Sequence, residues 1–210
     1  MGIAQSVASL TLPSIRERGL LSTTAILDLY GIVGQDRENI EERRRPKNVT
    51  VQAKNLPDAV IRDQIPMSDK ALQKCLLDDL KPRDWYSLLN GKVFFLVSKK
   101  RLLRLLGAKA YRNKKHDIIE MDSKRLNEEY REDIWLCAIN SGSTIMNPRP
   151  RGKNTFAKIQ DYPYSEWSKK RNKIERVVEL SVKYSVPNLR DFALRVVEMK
   201  GDQEIKILSL

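Results

Sequence analysis

The feature that most constrains this chain is a change of period near its middle. Before Asn90-Gly91 the apolar residues recur at helical spacing; after it they come as short β-branched and aromatic runs. Pro13 opens a short helix that ends at Gly19, and Ser22 or Thr23 caps a second, carrying Ile26, Leu27 and Tyr30 on one face. A third, polar helix is predicted from about residue 35 to residue 45, where Pro46 stops it. Ser68 caps the next, with Ala71, Leu72, Cys75, Leu76 and Leu80 at amphipathic spacing, and Trp85, Leu88 and Leu89 form another apolar face after Pro82. Val93-Phe94-Phe95-Leu96-Val97 then reads as a buried strand, followed by a helix capped by Ser98 and ended by Gly107. Residues 116–122, 134–139, 176–182, 193–199 and 204–208 are further strand candidates, and Ser123 caps a short helix to about Tyr130. Helices first and strands later predict an α+β fold, not a doubly wound parallel sheet. One domain over residues 1–210 is expected, helical to about residue 90 and strand-rich from about 91. Its mixed sheet should hold about five to seven short strands, most of them after Lys92.

Charge narrows the partners. Thirty-nine Lys and Arg stand against 27 Asp and Glu, a formal net charge of +12. Such a surplus concentrates anions around the protein, with nucleic acid the commonest polyanion and an anionic membrane surface second. The plain alternative is a basic surface that serves solubility. Cys75 and Cys137 share no CxxC spacing and have a single histidine for company, so no metal site is expected. They read as small buried hydrophobes in a reducing compartment. No apolar run approaches the ~20 residues that span a bilayer. The first residues lack the charge and apolar core of a signal peptide, and the Met-Gly start with Ser6 is too short a match to carry a lipid anchor. Cytoplasm is the expected location, with no membrane partner.

The common catalytic signatures are absent: no P-loop, GxSxG, HExxH or GxGxxG. His116, beside Lys114-Lys115, reads as a surface histidine at a strand end. Glu179 interrupts an apolar strand and by alternation faces with Val177 and Ser181. It is either the polar face of a half-exposed strand or a carboxylate held in a cleft. Arg43-Arg44-Arg45 is either a solvated helix end or a diphosphate clamp. The long loop of residues 140–164 places Arg149, Arg151 and Lys153 among prolines, with Phe156, Tyr162, Tyr164 and Trp167 close behind. Cations interleaved with rings suit single-stranded nucleic acid, although the rings could equally pin the loop to the core.

The order of three of these segments resembles the DarT-type ADP-ribosyltransferase toxins and a related family of uncharacterised bacterial proteins. Leu12-Pro13-Ser14-Ile15 with Gly19-Leu20-Leu21-Ser22 is similar to the family's opening helix and GLLS turn. Ile40-Glu41-Glu42-Arg43-Arg44 is similar to its helix ending in paired arginines, and Val177-Val178-Glu179-Leu180-Ser181-Val182 to the strand of its catalytic glutamate. The resemblance implies an ADP-ribosyltransferase-like mixed or antiparallel sheet core with N-terminal helices. It implies NAD as substrate, no metal, and DNA or RNA as acceptor, in a toxin or defence effector with a possible antitoxin partner. Glu179 would stabilise the reacting ribose and Arg43 or Arg44 would join catalysis and neutralise the diphosphate. Ser22, Phe94 and Phe95 would help hold NAD, Phe94 or Phe95 by stacking on nicotinamide. Gln5 occupies the first-strand position where the family pattern has a histidine. Two alternatives stand beside this: a basic nucleic-acid-binding protein of the same fold without turnover, and an NAD-using RNA 2′-phosphotransferase.

Overall fold

The computed structural model describes residues 2–7 and 12–209. Among them the elements run β1 (Gly2–Val7), α1 (Leu12–Arg18), β2 (Leu20–Leu21), α2 (Thr23–Leu29), α3 (Gly34–Glu41), β3 (Val49–Val51), β4 (Ala59–Ile61), α4 (Asp69–Gln73) and α5 (Pro82–Asn90). There follow β5 (Lys92–Leu96), α6 (Lys99–Leu106), β6 (Lys115–Asp122), α7 (Ser123–Tyr130), β7 (Ile134–Cys137), β8 (Phe156–Lys158), α8 (Tyr164–Lys170), β9 (Glu179–Lys183), β10 (Ser185–Val186), β11 (Ala193–Lys200) and β12 (Gln203–Leu208). The class is α+β. An eight-stranded sheet in the order β12-β11-β6-β1-β5-β9-β7-β8 is antiparallel at every pairing, and two two-stranded ribbons, β10-β2 and β3-β4, accompany it.

The expected mixed sheet of five to seven strands is therefore corrected to eight antiparallel ones. Strands also occur before Lys92, and one of them, β1, lies between β5 and β6 in the interior of the sheet. The third helix ends at Glu41, so Arg43 to Arg45 lie beyond it, and α7 is capped by Asp122 rather than Ser123, through the carboxylate's bonds from the Lys124 and Arg125 N–H groups. β9 begins at Glu179, after a 3-10 turn at Lys173–Glu175.

The sheet is covered on both faces around β5, which explains its unbroken apolar run. Val93 and Phe95 point to one side, into a core with Ile119, Leu136, Leu180 and Val182. Phe94 points to the other, against a second cluster in which α5 contributes Trp85, Tyr86 and Leu89. Pro82 starts α5 where a missing N–H costs nothing, and the Lys81 N–H donates to the Asp84 carboxylate at 2.8 Å. Each large side chain buried this way stabilises the fold by roughly 1.5–3 kcal/mol. Gly19, at φ +72°, fixes the entry to β2: a Cβ there would stand 2.1 Å from the Val186 carbonyl oxygen. The chain is thereby pressed against the end of β10, which pairs with β2.

Candidate functional site

Glu179 is the first residue of β9, and its cross-strand partners are Leu96 on β5 and Cys137 on β7. Because side chains alternate, Glu179 shares its sheet face with Ser181, Phe94, Trp135 and Phe156, the face that α5 covers. The side chain is half-buried, and both carboxylate oxygens accept from the Ser141 N–H at 3.2 Å. Desolvation pushes this carboxyl up to about 7, against the bonds from Ser141 and the positive charges of Arg101 and Arg151, which favour the ionised form. Burial wins, leaving a carboxyl that changes charge near neutrality.

The surroundings of Glu179 are built by two connections. β5 leads through Ser98, whose hydroxyl caps α6 by accepting from the Arg101 N–H at 3.4 Å, so Arg101 is delivered beside the end of the strand. There its guanidinium pairs with Glu175. From β7 the chain passes through Ser141 and Thr144, whose N–H donates to the Pro66 carbonyl at 2.9 Å and whose hydroxyl accepts from the Ser68 N–H. Arg151 holds this loop from inside. It is 1% exposed and donates to the carbonyls of Ser141 at 2.8 Å, Ser143 at 3.0 Å and Arg149 at 3.1 Å, with its guanidinium 5.7 Å from the Trp85 ring. Arg171 closes the other side, bonded to the Ala138 carbonyl and stacked 4.3 Å over Trp167. The Cys137 thiol, opposite Glu179, is pushed far up by burial and by that neighbouring charge, which makes it inert as a thiolate.

The sequence-predicted residues divide. Phe94 is on the Glu179 face, but Phe95 is 1% exposed in the opposite core, so it is corrected from a stacking residue to a packing one. Arg43 is exposed, and Arg44 donates to the Ile65 carbonyl at 3.2 Å; neither touches Glu179 among the described residues. Arg44 instead flanks the segment on which Thr144 rests. Arg45, the third of the run, is buried, bonded to the carbonyls of Ile40 and Arg62 and to Asn90 Oδ1, and desolvation lowers its pKa to about 10. The Ser22 hydroxyl accepts from the Ala25 N–H at 3.1 Å as the cap of α2. Gln5 lies on β1 opposite Ile119, and its side chain lies outside the described residues.

In the long loop, Arg149 and Lys153 are exposed as expected, but Arg151 between them is not. Phe156 and Tyr162 are buried and pin the loop to the core, while Tyr164 is exposed. His116 is corrected as well: it is 3% exposed, edge-on to Tyr111, and burial lowers its pKa. The cations that face Glu179, Arg101 and Arg151, were missed as a pair. The Ser98 cap was the available signal for Arg101; no local pattern marks a buried arginine.

Two open surface depressions are lined by Glu17, Arg18, Leu21, Asp28 and Tyr184, and by Arg190, Leu194, Arg195 and Ile207; Glu179 lines neither. Among the described residues no cluster of metal-ligating side chains occurs, and no helix is long and apolar enough to cross a membrane. A family model described as a family of unknown function (DUF7002) matches residues 6–193. No curated protein and no solved structure matches the chain.

Proposed function

The chain belongs to a family of unknown function (DUF7002), and from that premise we propose that it is a cytoplasmic NAD-dependent ADP-ribosyltransferase acting on nucleic acid, a toxin or defence effector. The observation that carries this reading is the Glu179 carboxyl. It stands at the start of an interior strand, accepts from the Ser141 N–H of the loop after β7, is favoured in its charged form by Arg101 and Arg151, and is pushed up to about 7 by burial. A group so fixed suits charge stabilisation, because it need not reorganise when a cation develops.

In the reaction, Glu179 accepts a hydrogen bond from a hydroxyl of the nicotinamide-side ribose, and its charge favours an oxocarbenium-like sugar. The bond between C1′ and the nicotinamide nitrogen breaks, and its electron pair leaves with neutral nicotinamide. A lone pair on the acceptor base forms the new bond to C1′, and the acceptor's proton passes to Glu179 or to water. Phe94, on the same sheet face, is the candidate to stack on nicotinamide, and Arg43 and Arg44 to neutralise the diphosphate. The +12 charge favours a polyanionic acceptor.

Incubation with NAD labelled in its adenylate, with separate DNA, RNA and protein pools, should place label on a nucleic acid. Turnover should rise with pH through about 7, as Glu179 ionises. Glu179→Gln should lower it by about a hundredfold or more, equivalent to ~3 kcal/mol of lost charge stabilisation, while the protein stays folded. An unchanged Gln variant would remove Glu179 from the chemistry. Gln5 at the first-strand position favours a second reading, a nucleic-acid-binding protein without turnover. Wild-type protein that binds a strand but consumes no NAD would establish it.

A further inference from the structure

The far end of the same sheet face carries a cluster that the Glu179 chemistry does not use. Lys92 on β5 and Lys183 on β9 are direct cross-strand partners, and Lys158 on β8 is partnered by Trp135 on β7. The Lys92 ammonium lies 4.7 Å from the centre of the Trp135 ring and 5.4 Å from that of Phe156, and the Lys158 ammonium lies 4.5 Å from the Trp135 ring. Two cations from two strands thus meet at one indole, and the third, Lys183, stands across from Lys92. Among the described residues none of the three has a hydrogen-bonded or ion-paired carboxylate. The Trp135 Nε1–H, buried at the same place, has no acceptor either. Asp133, whose main chain accepts from the Lys183 N–H, is the nearby carboxylate, and its charge offsets the repulsion in part.

Like charges brought together by register, one of them on the half-buried Lys92, are unfavourable unless an anion neutralises them. Burial and the charges of Lys158 and Lys183 together lower the Lys92 pKa to about 8, the mark of a cation short of a counter-charge. The ring–ammonium contacts hold two of the lysines in place in advance of any ligand, which reduces the entropy that binding would otherwise cost.

We propose that Lys92 and Lys158, held at the Trp135 ring, and Lys183, across from Lys92, bind consecutive phosphates of a single-stranded nucleic acid. This deepens the transferase reading, since it names the surface that would hold the acceptor strand. From Glu179 to Lys183 is four residues along β9, about 13 Å at ~3.3 Å per residue. That is a reach of two or so phosphates, so the patch and the carboxylate can serve one bound strand. A polynucleotide fits better than an acidic peptide because the site offers closely spaced point cations around a ring.

The test is direct binding, measured by fluorescence anisotropy with labelled oligo-dT and oligo-U and with no NAD present. Wild-type protein should bind with a steep salt dependence. The triple variant Lys92→Gln, Lys158→Gln, Lys183→Gln should lose about tenfold or more in affinity near ~100 mM salt, and its log–log salt slope should fall by about 2, as expected for three lost phosphate contacts on a single strand. A control variant, Lys109→Gln, Lys200→Gln, Lys206→Gln, removes the same charge from exposed positions elsewhere and should lose much less. Equal losses in the two variants would overturn the proposal, as would polyglutamate or phosphatidylserine vesicles competing as well as the oligonucleotides. Thermal unfolding of both variants verifies that they are folded. Wild-type protein that binds a strand through the patch yet turns over no NAD would support this inference while removing the transferase reading.

Discussion

The two ends of the β5-β9-β7 face hold cations in opposite ways. At the Glu179 end, Arg151 and Arg171 direct their N–H groups at main-chain carbonyls, and Arg101 is paired with Glu175. Arg45 is satisfied in the same fashion under the neighbouring helices. At the other end, Lys92, Lys158 and Lys183 are drawn together and, among the described residues, none is ion-paired with a carboxylate. A planar guanidinium with five donors can tie several carbonyls of an irregular loop, which suits it to building a site. A compact ammonium left without an acceptor suits the contact with a passing anion. The basic residues of this face therefore divide into those bonded to main-chain carbonyls or to a carboxylate and those that are not, a distinction of hydrogen-bond satisfaction rather than of charge.

Three substitutions break or sharpen that contrast. The largest effect is expected at Arg151. Arg151→Met orphans the carbonyls of Ser141 and Ser143 and should cost about 4 kcal/mol in denaturant-measured stability. A cost below about 1 kcal/mol would mean that Arg151 does not build the loop. Next comes Glu179. Its folded pKa, about 7, lies above the ordinary carboxylate value of 4.5, so the stability that its protonation gives is fully present below 4.5 and is lost as pH rises to 7. Glu179→Gln should therefore gain on the wild type by on the order of 3 kcal/mol between those pH values, measured as the difference between two stability–pH curves. Parallel curves would show that the carboxyl is well solvated. The smallest effect belongs to Lys92, whose folded pKa, about 8, lies below its ordinary value of 10.5. Its charging destabilises the fold fully below 8 and not at all above 10.5. Lys92→Met should raise stability at pH 7 by about 1 kcal/mol once solvent screening is allowed for, with the gain fading between pH 8 and 10.5. A loss at pH 7 would mean that Lys92 helps to build the fold.

The sequence announced some of this and hid the rest for physical reasons. β5 was legible because Val93 to Leu96 is apolar on both faces, and α2, α5 and α6 because their caps and stops are local. β3 and β4 were not, since three residues are too few to show a period. β1 was marked only by the family resemblance, which put Gln5 on a first strand: Ala4-Gln5-Ser6 carries little β signal of its own, and the strand's place is set by pairing with the distant β6. Glu179 could be picked out as a carboxylate on an apolar strand. Its companions could not, because Ser141, Arg101 and Arg151 reach it through loop closure. The lysine patch was invisible for a related reason: residues 92, 158 and 183 share nothing in sequence, and only strand register makes them neighbours.

The position of β9 between β5 and β7 has a consequence for the order of assembly. β5 and β7 both precede β9 in the chain, yet they pair with β9 rather than with each other. Until β9 enters, the Ser141 N–H has no carboxylate to receive and the lysine cluster lacks Lys183. Pairings of such long range close slowly. A chain ended before β9 consequently lacks Glu179 at one end of the face and Lys183 at the other. One late strand thus completes the face at both of its ends.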